Sequence, residues 1–204
     1  MRVGVLASGE GTNLQALIDA DDEAVELVAV ASDKSAPPAF DRARAAGIAV
    51  EAFPRERFAD RPARDAAITA WLEGRGVELV VLAGYMALLD VEFVRHWSGR
   101  LVNVHPSLLP AFPGLRAIEQ ALDYGVALFG VTVHLVDEGV DTGPLLLQEA
   151  MTLPGARTPD EVHDALRPVE HRLLCAAVHA FAVGAVREDP DHPRRWLVGP
   201  PPLS

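Results

Sequence analysis

Asn103 and His105 stand one residue apart within VNVHPSLLPAFP, the stretch Val102–Pro113. The period of two of an extended chain puts both side chains on one face, so an amide donor sits beside an imidazole that can hold or release a proton near neutrality. Pro106 and Pro110 fix φ and withdraw backbone donors, which predicts a rigid, irregular loop after the strand rather than a helix. An Asn inside an apolar strand requires a partner for its amide, because an unpaired buried polar group costs about 1–3 kcal/mol. Such a pair at the carboxyl end of a strand in an open α/β sheet lies where those sheets bind ligands. Taken alone, N-x-H is a weak signal, and most such pairs are satisfied structural groups.

Two further clusters carry chemistry. Ser8, Gly9, Gly11, Thr12 and Asn13 follow the apolar run Val3–Ala7 and precede the helical pattern LQALIDA. Their small side chains let a backbone close on an anion at a helix N-terminus; with neither G-x-G-x-x-G nor a P-loop Lys, the site is of monophosphate size. The same spacing fits equally a helix capped by Thr12 or Asn13 with no ligand. Asp137, Glu138 and Asp141 crowd carboxylates into DEGVDTGP, between two strand candidates. That loop reads either as turn chemistry alone or as a carboxylate set against a catalytic imidazole, orienting it and favouring its charged form.

The elements that must position these groups alternate strand and helix. Val3–Ala7, Leu27–Ala31, Ile48–Phe53 and Val77–Ala83 read as strands, the last nearly all apolar, as a parallel strand buried on both faces must be. Helices are expected over Asp41–Ala46, closed by Gly47, over Val91–Trp97, and over Ile118–Tyr124, ended by Gly125. Another spans Ala59–Gly74, with Ala63, Ala66, Ala67, Ala70 and Trp71 as its apolar face. Arg55, Arg57, Arg61 and Arg64 gather near its start and read as a solvated face from which one guanidinium could reach an anionic ligand tail. Phe129–Val136 alternates as a half-buried strand with Gly130, Thr132 and His134 on one side, and Leu145–Gln148 is a further strand. Thr158-Pro159-Asp160-Glu161 starts a helix that runs to about Val183. It packs through Leu166, Val169, Leu173, Leu174, Ala177, Val178 and Phe181, with Cys175 and His179 as packing residues. The order predicts an α/β, Rossmann-like open, mostly parallel sheet with helices on both faces, one C-terminal antiparallel strand region and a long C-terminal helix. Residues 1–188 are expected to form a single domain, and the Pro-rich tail 189–204 to be loose.

Composition narrows the classes. The 204 residues are 50% hydrophobic yet contain no apolar run long enough to cross a bilayer, which points to a soluble chain with a sizeable core and no membrane partner. A formal net charge of -11 argues against a nucleic-acid partner, since binding a polyanion needs a basic surface. One Cys excludes a disulfide within the chain and points to the cytoplasm. MRVGVLASGEG reads as a first strand and a glycine turn rather than a signal peptide, and no H-E-x-x-H or paired C-x-x-C spacing calls for a metal.

The blocks VLASGEGTNLQALID, VVLAGYMALL, LVNVHPSLLPAFPG and GVTVHLVDEGVDTGPLLLQ, in that order, resemble the 10-formyltetrahydrofolate-using formyltransferase family over nearly the whole chain. The resemblance implies the formyltransferase fold and the transfer of a formyl group from 10-formyltetrahydrofolate to the amine of glycinamide ribonucleotide in purine synthesis, with no metal. It implies a catalytic trio of Asn103, His105 and Asp141, a substrate phosphate loop of Gly11, Thr12 and Asn13, and Glu170 as the acid receiving the amino-amide portion. It also implies a folate site on Leu82, Tyr85, Met86, Ala87, Leu88 and Leu89 and on Val136, Glu138 and Val140, mainly through backbone groups. The chemistry of the residues agrees: an amine attacking a formyl carbon leaves negative charge on oxygen, and donors from Asn103 and His105 would stabilise it. The implied partners are these two small molecules, with the protein a monomer or homodimer. The chain departs from the family's usual residues at Ala87, Ala111 and Ile118. Competing readings are a 10-formyltetrahydrofolate hydrolase, with the same trio and water as acceptor, and a non-catalytic nucleotide-binding module on the same fold.

Overall fold

The computed structural model describes residues 1–199, and the chain groups into two compact units, Met1–Asn103 and Val104–Ser204. In the first, β1 (Arg2–Leu6) lies between β2 (Glu26–Ser32) and β4 (Leu79–Leu82), β3 (Ala49–Ala52) flanks β2, and β5 (Leu101–His105) flanks β4, every pairing parallel. Strand order therefore reverses between β1 and β4, and the loops leaving those two strands open a crevice at the carboxyl edge. All four residues of β4 are buried, as its unbroken apolar run requires. The helices of this unit are α1 (Thr12–Asp19), α2 (Ala39–Ala45), α3 (Arg61–Glu73) and α4 (Val91–His96).

The face of α3 differs from the expectation. Ala63, Ala66 and Ala70 are exposed, and the buried residues are Arg64, Asp65, Ile68 and Leu72. Ile68 and Leu72 remove more apolar area from water than the alanines do, and Arg64 and Asp65 go in with them because they neutralise one another at 2.7 Å. Arg55, Arg57 and Arg61 do stay exposed, so the solvated-face reading fails for Arg64 alone.

In the second unit β6 (Leu128–Leu135) pairs antiparallel with β7 (Leu145–Thr152). β7 pairs parallel with β9 (His192–Val198), which runs antiparallel to β8 (Val186–Asp189). β6 is buried from Phe129 to Leu135 rather than half-buried. α6 (Pro159–Ala182) packs against it, and the Pro-rich loop reaches it too: Leu109 N–H donates to Thr132 Oγ1, which donates to the Ser107 carbonyl at 2.7 Å. Leu108 lies so close over Gly130 that no Cβ fits there. α5 (Ala117–Tyr124) ends at Gly125 with φ 84°, the left-handed cap that glycine adopts without strain.

Thr158 and Glu161 form a reciprocal capping box at the start of α6, the four-residue signature read from the sequence. Leu166, Val169, Leu173, Leu174, Ala177 and Val178 are buried along it; His179 is exposed, because the next position rotates off that stripe, so its packing role is corrected. The tail is corrected as well. Instead of running loose from Asp189, the chain turns back as β9, where Trp196, Leu197 and Val198 favour extended structure and the edge of β7 offers backbone groups that need partners. Residues 200–204 of that expectation lie outside the described residues. The mostly parallel sheet, the C-terminal antiparallel region and the long C-terminal helix are those the order of elements predicts. Among the described residues, no helix is long and apolar enough to cross a membrane.

Candidate active site

β5 carries Asn103, opposite Leu82 in the β4–β5 register, and ends two residues later at His105. The imidazole is 6% exposed, with Nε2 at 2.9 Å from the Phe112 carbonyl and Nδ1 at 3.4 Å from Asp141 Oδ2. Both ring nitrogens face oxygen, so both contacts are attractive only when each nitrogen carries a proton. The loop that returns to His105 is irregular, as the proline spacing predicts, and polar side chains from within it and from β7 tie it down. Ser107 Oγ donates to the Ala111 carbonyl at 2.6 Å and Gln148 Nε2 to the Leu109 carbonyl at 2.9 Å, while Phe112 sits at φ 52°.

Asp137 and Asp141 divide the two roles read for their loop. Asp137 does turn chemistry: its Oδ1 accepts from Gly139 N–H at 3.1 Å and from Thr142 Oγ1 at 2.6 Å. Asp141, at φ 52°, turns inward, where Oδ2 accepts from Gly114 N–H at 2.7 Å and Oδ1 lies 3.5 Å from His134 Nε2. Burial alone would raise the Asp141 carboxyl, but the His134 contact, the Gly114 N–H and the charges of His105 and His134 outweigh it and hold it at about 2, against an ordinary 3.8.

A carboxyl depressed in the folded state contributes stability that is complete above its unfolded value and lost as pH falls through the folded one. For Asp141 that window runs from 3.8 down to about 2. The contribution is about 2 kcal/mol at neutral pH. We expect Asp141→Asn to be less stable than the wild type by roughly that amount at neutral pH, with the gap closing as acid unfolding is followed through this window. A gap that stays constant down to the acid limit would contradict the assigned charge state.

The glycine-bearing loop after β1 leads into α1 with Gly11 at φ 72° as its N-cap and no side-chain cap, so neither Thr12 nor Asn13 takes the capping role the spacing left open. Thr12 and Asn13 are the first helical residues, and their N–H groups belong to the turn that lacks intrahelical acceptors. A Cβ on Gly11 would stand 2.7 Å from Ala39 Cβ, and Arg42 backs the same loop by donating to the Glu10 carbonyl at 2.7 Å.

Of the residues implied for folate, Leu82 is buried at the end of β4 and Tyr85 and Leu89 are half-buried, whereas Met86 and Leu88 are exposed. Ala87 and Leu88 line a cleft of about 1170 Å³ together with Lys34, Arg55, Arg61 and Arg64, all within the first unit. In the second unit Val136, Glu138 and Val140 lie in the β6–β7 connection that carries Asp141, with Val140 exposed. Glu170 is buried on α6, two residues beyond Pro168, whose ring nitrogen has no hydrogen to give the helix ladder.

His134 and Gly114 belong to the Asp141 environment and were not singled out from the sequence. His134 is 1% exposed on β6 and donates through Nδ1 to the Leu135 carbonyl at 2.8 Å, which turns Nε2 toward Asp141. A His among Val131, Val133 and Leu135 is the signal that was available, since a buried imidazole needs a polar partner and the acidic loop follows directly.

Residues 1–178 match the formyl transferase family. A phosphoribosylglycinamide formyltransferase of Mycobacterium tuberculosis is 44% identical over 193 residues, which cover 91% of this chain and 86% of that protein. The trifunctional purine biosynthetic protein adenosine-3 of Bos taurus is 43% identical over 189 residues, 91% of this chain but 19% of that protein, so the chain spans about a fifth of that relative. Among solved structures, glycinamide ribonucleotide transformylase 1 from Symbiobacterium toebii superposes with a TM-score of 0.92 at 39% identity, covering 98% of this chain and 94% of that one.

Proposed function

The chain belongs to the formyl transferase family, and from that membership we propose that it transfers the formyl group of 10-formyltetrahydrofolate to the amine of glycinamide ribonucleotide, releasing tetrahydrofolate. The observation that carries the reading is His105 between the Phe112 carbonyl and the Asp141 carboxylate, two residues beyond Asn103 on one strand. The free amine attacks the formyl carbon and the carbonyl π electrons move to oxygen. That oxyanion takes hydrogen bonds from the Asn103 amide and from His105 Nε2–H, for which a full negative charge outcompetes the neutral Phe112 carbonyl. Asp141 holds the His105 ring through Nδ1 and, through a water, carries the proton from the attacking nitrogen to the departing N10. Collapse of the intermediate then breaks the bond from carbon to N10, leaving an N-formyl product and a protonated folate nitrogen.

Gly11, Thr12 and Asn13 bind the ribonucleotide phosphate through the N–H groups at the start of α1, which lack intrahelical acceptors. Glu170 receives the amino-amide portion, and residues 82–89 with 136–140 take the folate, chiefly through backbone groups. The family match over residues 1–178 supports reading 1–188 as one catalytic domain. The single cysteine, Cys175, supports cytoplasmic residence. The test is the rate at which tetrahydrofolate appears from 10-formyltetrahydrofolate with and without glycinamide ribonucleotide. Release that requires the ribonucleotide is the expected result; equal release without it would replace this reading with a hydrolase.

A further inference from the structure

Residues 84–90 follow β4 with no helix or strand of their own, so side chains from elsewhere must set their shape. At one end, Ser8 N–H donates to the Gly84 carbonyl at 3.1 Å and Met86 N–H donates to Ser8 Oγ at 2.9 Å. Ser8 Oγ in turn donates to Asp33 Oδ1 at 2.5 Å, and Asp33 is paired with Lys34 at 3.2 Å. At the other end, Arg64 Nη2 donates to the Leu88 carbonyl at 2.9 Å while Arg64 Nε bonds Asp65 Oδ1 at 2.7 Å. Asp65 Oδ2 accepts from Asp90 N–H at 2.6 Å, just where Asp90 caps α4 by accepting from Glu92 N–H at 3.0 Å.

The Arg64–Asp65 pair has side chains only 7% and 1% exposed. A buried ion pair is on balance no more stabilising than apolar residues of the same size, so stability does not account for it. What it supplies that apolar residues lack is a donor and an acceptor aimed at two backbone groups of one segment, held by a planar guanidinium that spans both partners at once. Met86 and Leu88, whose own backbone groups take two of these bonds, are the exposed large apolar side chains of this stretch. Holding them in place removes an ordering cost that a ligand would otherwise meet on binding.

We propose that Ser8 with Asp33 and Arg64 with Asp65 are positioning residues that clamp the two ends of residues 84–90 into the shape that recognises the flat ring system of the folate. The proposal rests on the reading of residues 82–89 as folate-binding. The double variant Arg64→Met/Asp65→Asn removes both buried charges and keeps an acceptor for Asp90 N–H, but leaves the Leu88 carbonyl without its donor. We expect its KM for 10-formyltetrahydrofolate to rise about 10-fold, with the KM for glycinamide ribonucleotide and kcat at saturation each changing less than about threefold, because lost preorganisation reads as weaker binding of one substrate. Ser8→Ala, which buries no charge and keeps the backbone N–H on Gly84, releases the opposite anchor and is expected to raise the folate KM in the same direction.

Calorimetric titration with 10-formyltetrahydrofolate separates the possible failures. Wild-type protein that binds no folate would overturn the functional reading and the clamp with it. Folded variants that bind folate as tightly as the wild type would overturn the clamp alone. Parallel losses in both KM values and in kcat would also overturn it, since those mark a general structural role.

Discussion

Asp141→Asn is expected to yield a folded protein whose kcat is lower by about 10³–10⁴, the loss seen when an imidazole's carboxylate partner becomes an amide. The size follows from two roles meeting in one group. The carboxylate faces His105 Nδ1 at 3.4 Å and His134 Nε2 at 3.5 Å, so it fixes the orientation of the ring whose Nε2–H the oxyanion needs. In the proposed mechanism it also takes up and passes on the amine proton bound for N10, and an amide cannot accept and release a proton at neutral pH. Asn103→Ala removes one oxyanion donor and leaves that path intact, so its expected loss is smaller, about 10²–10³. Steady-state kcat of the two variants, with circular dichroism to verify folding, checks the order; near-normal turnover in Asp141→Asn would remove it from the centre.

Gly143→Ala should be the most damaging single-atom addition in the second unit. A Cβ there would overlap the Leu135 carbonyl oxygen and crowd Asp137 N–H at 3.2 Å. Both obstacles are backbone, and Leu135 N–H is tied back to the Pro144 carbonyl at 2.9 Å, so the end of β6 and the start of β7 must part for the methyl to enter. Forcing that separation is expected to cost about 3 kcal/mol or more, and to lower Tm by roughly 6–12 °C. Activity should fall further, because Asp141 lies two residues upstream in the same connection. Gly155→Ala is the control, since a Cβ there meets nothing within 4 Å. Equal Tm values for the two variants, measured by thermal unfolding, would show that the close approach at Gly143 is relaxed in solution.

What the sequence made legible divides along physical lines. The Asn103/His105 pair could be read because a period of two is local and two prolines mark the strand's end. From spacing alone Asp141 was visible only as one of several acids in a turn, and the family resemblance is what singled it out. What separates it from Asp137 is a left-handed backbone at φ 52° and the approach of His134 from β6, and both depend on tertiary structure. The face of α3 was misread because alanines at helical spacing imitate an apolar stripe, whereas Arg64 looked like a solvent charge until its pairing with Asp65 became visible. β9 was hidden by prolines around HPRRWLV, although its last residues are good strand formers. Glu170 had no local signature at all: a glutamate beside a helix's apolar stripe reads as surface, its proposed role came only from the family resemblance, and the structure shows it buried.

The most direct measurement follows a ¹³C label on the formyl carbon of 10-formyltetrahydrofolate by NMR, with glycinamide ribonucleotide present and with the wild type and His105→Ala compared. The account predicts that the label moves to the amine nitrogen of the ribonucleotide with the wild type and stays on the folate with the variant. Label emerging as free formate, or transfer undiminished in His105→Ala, would contradict it.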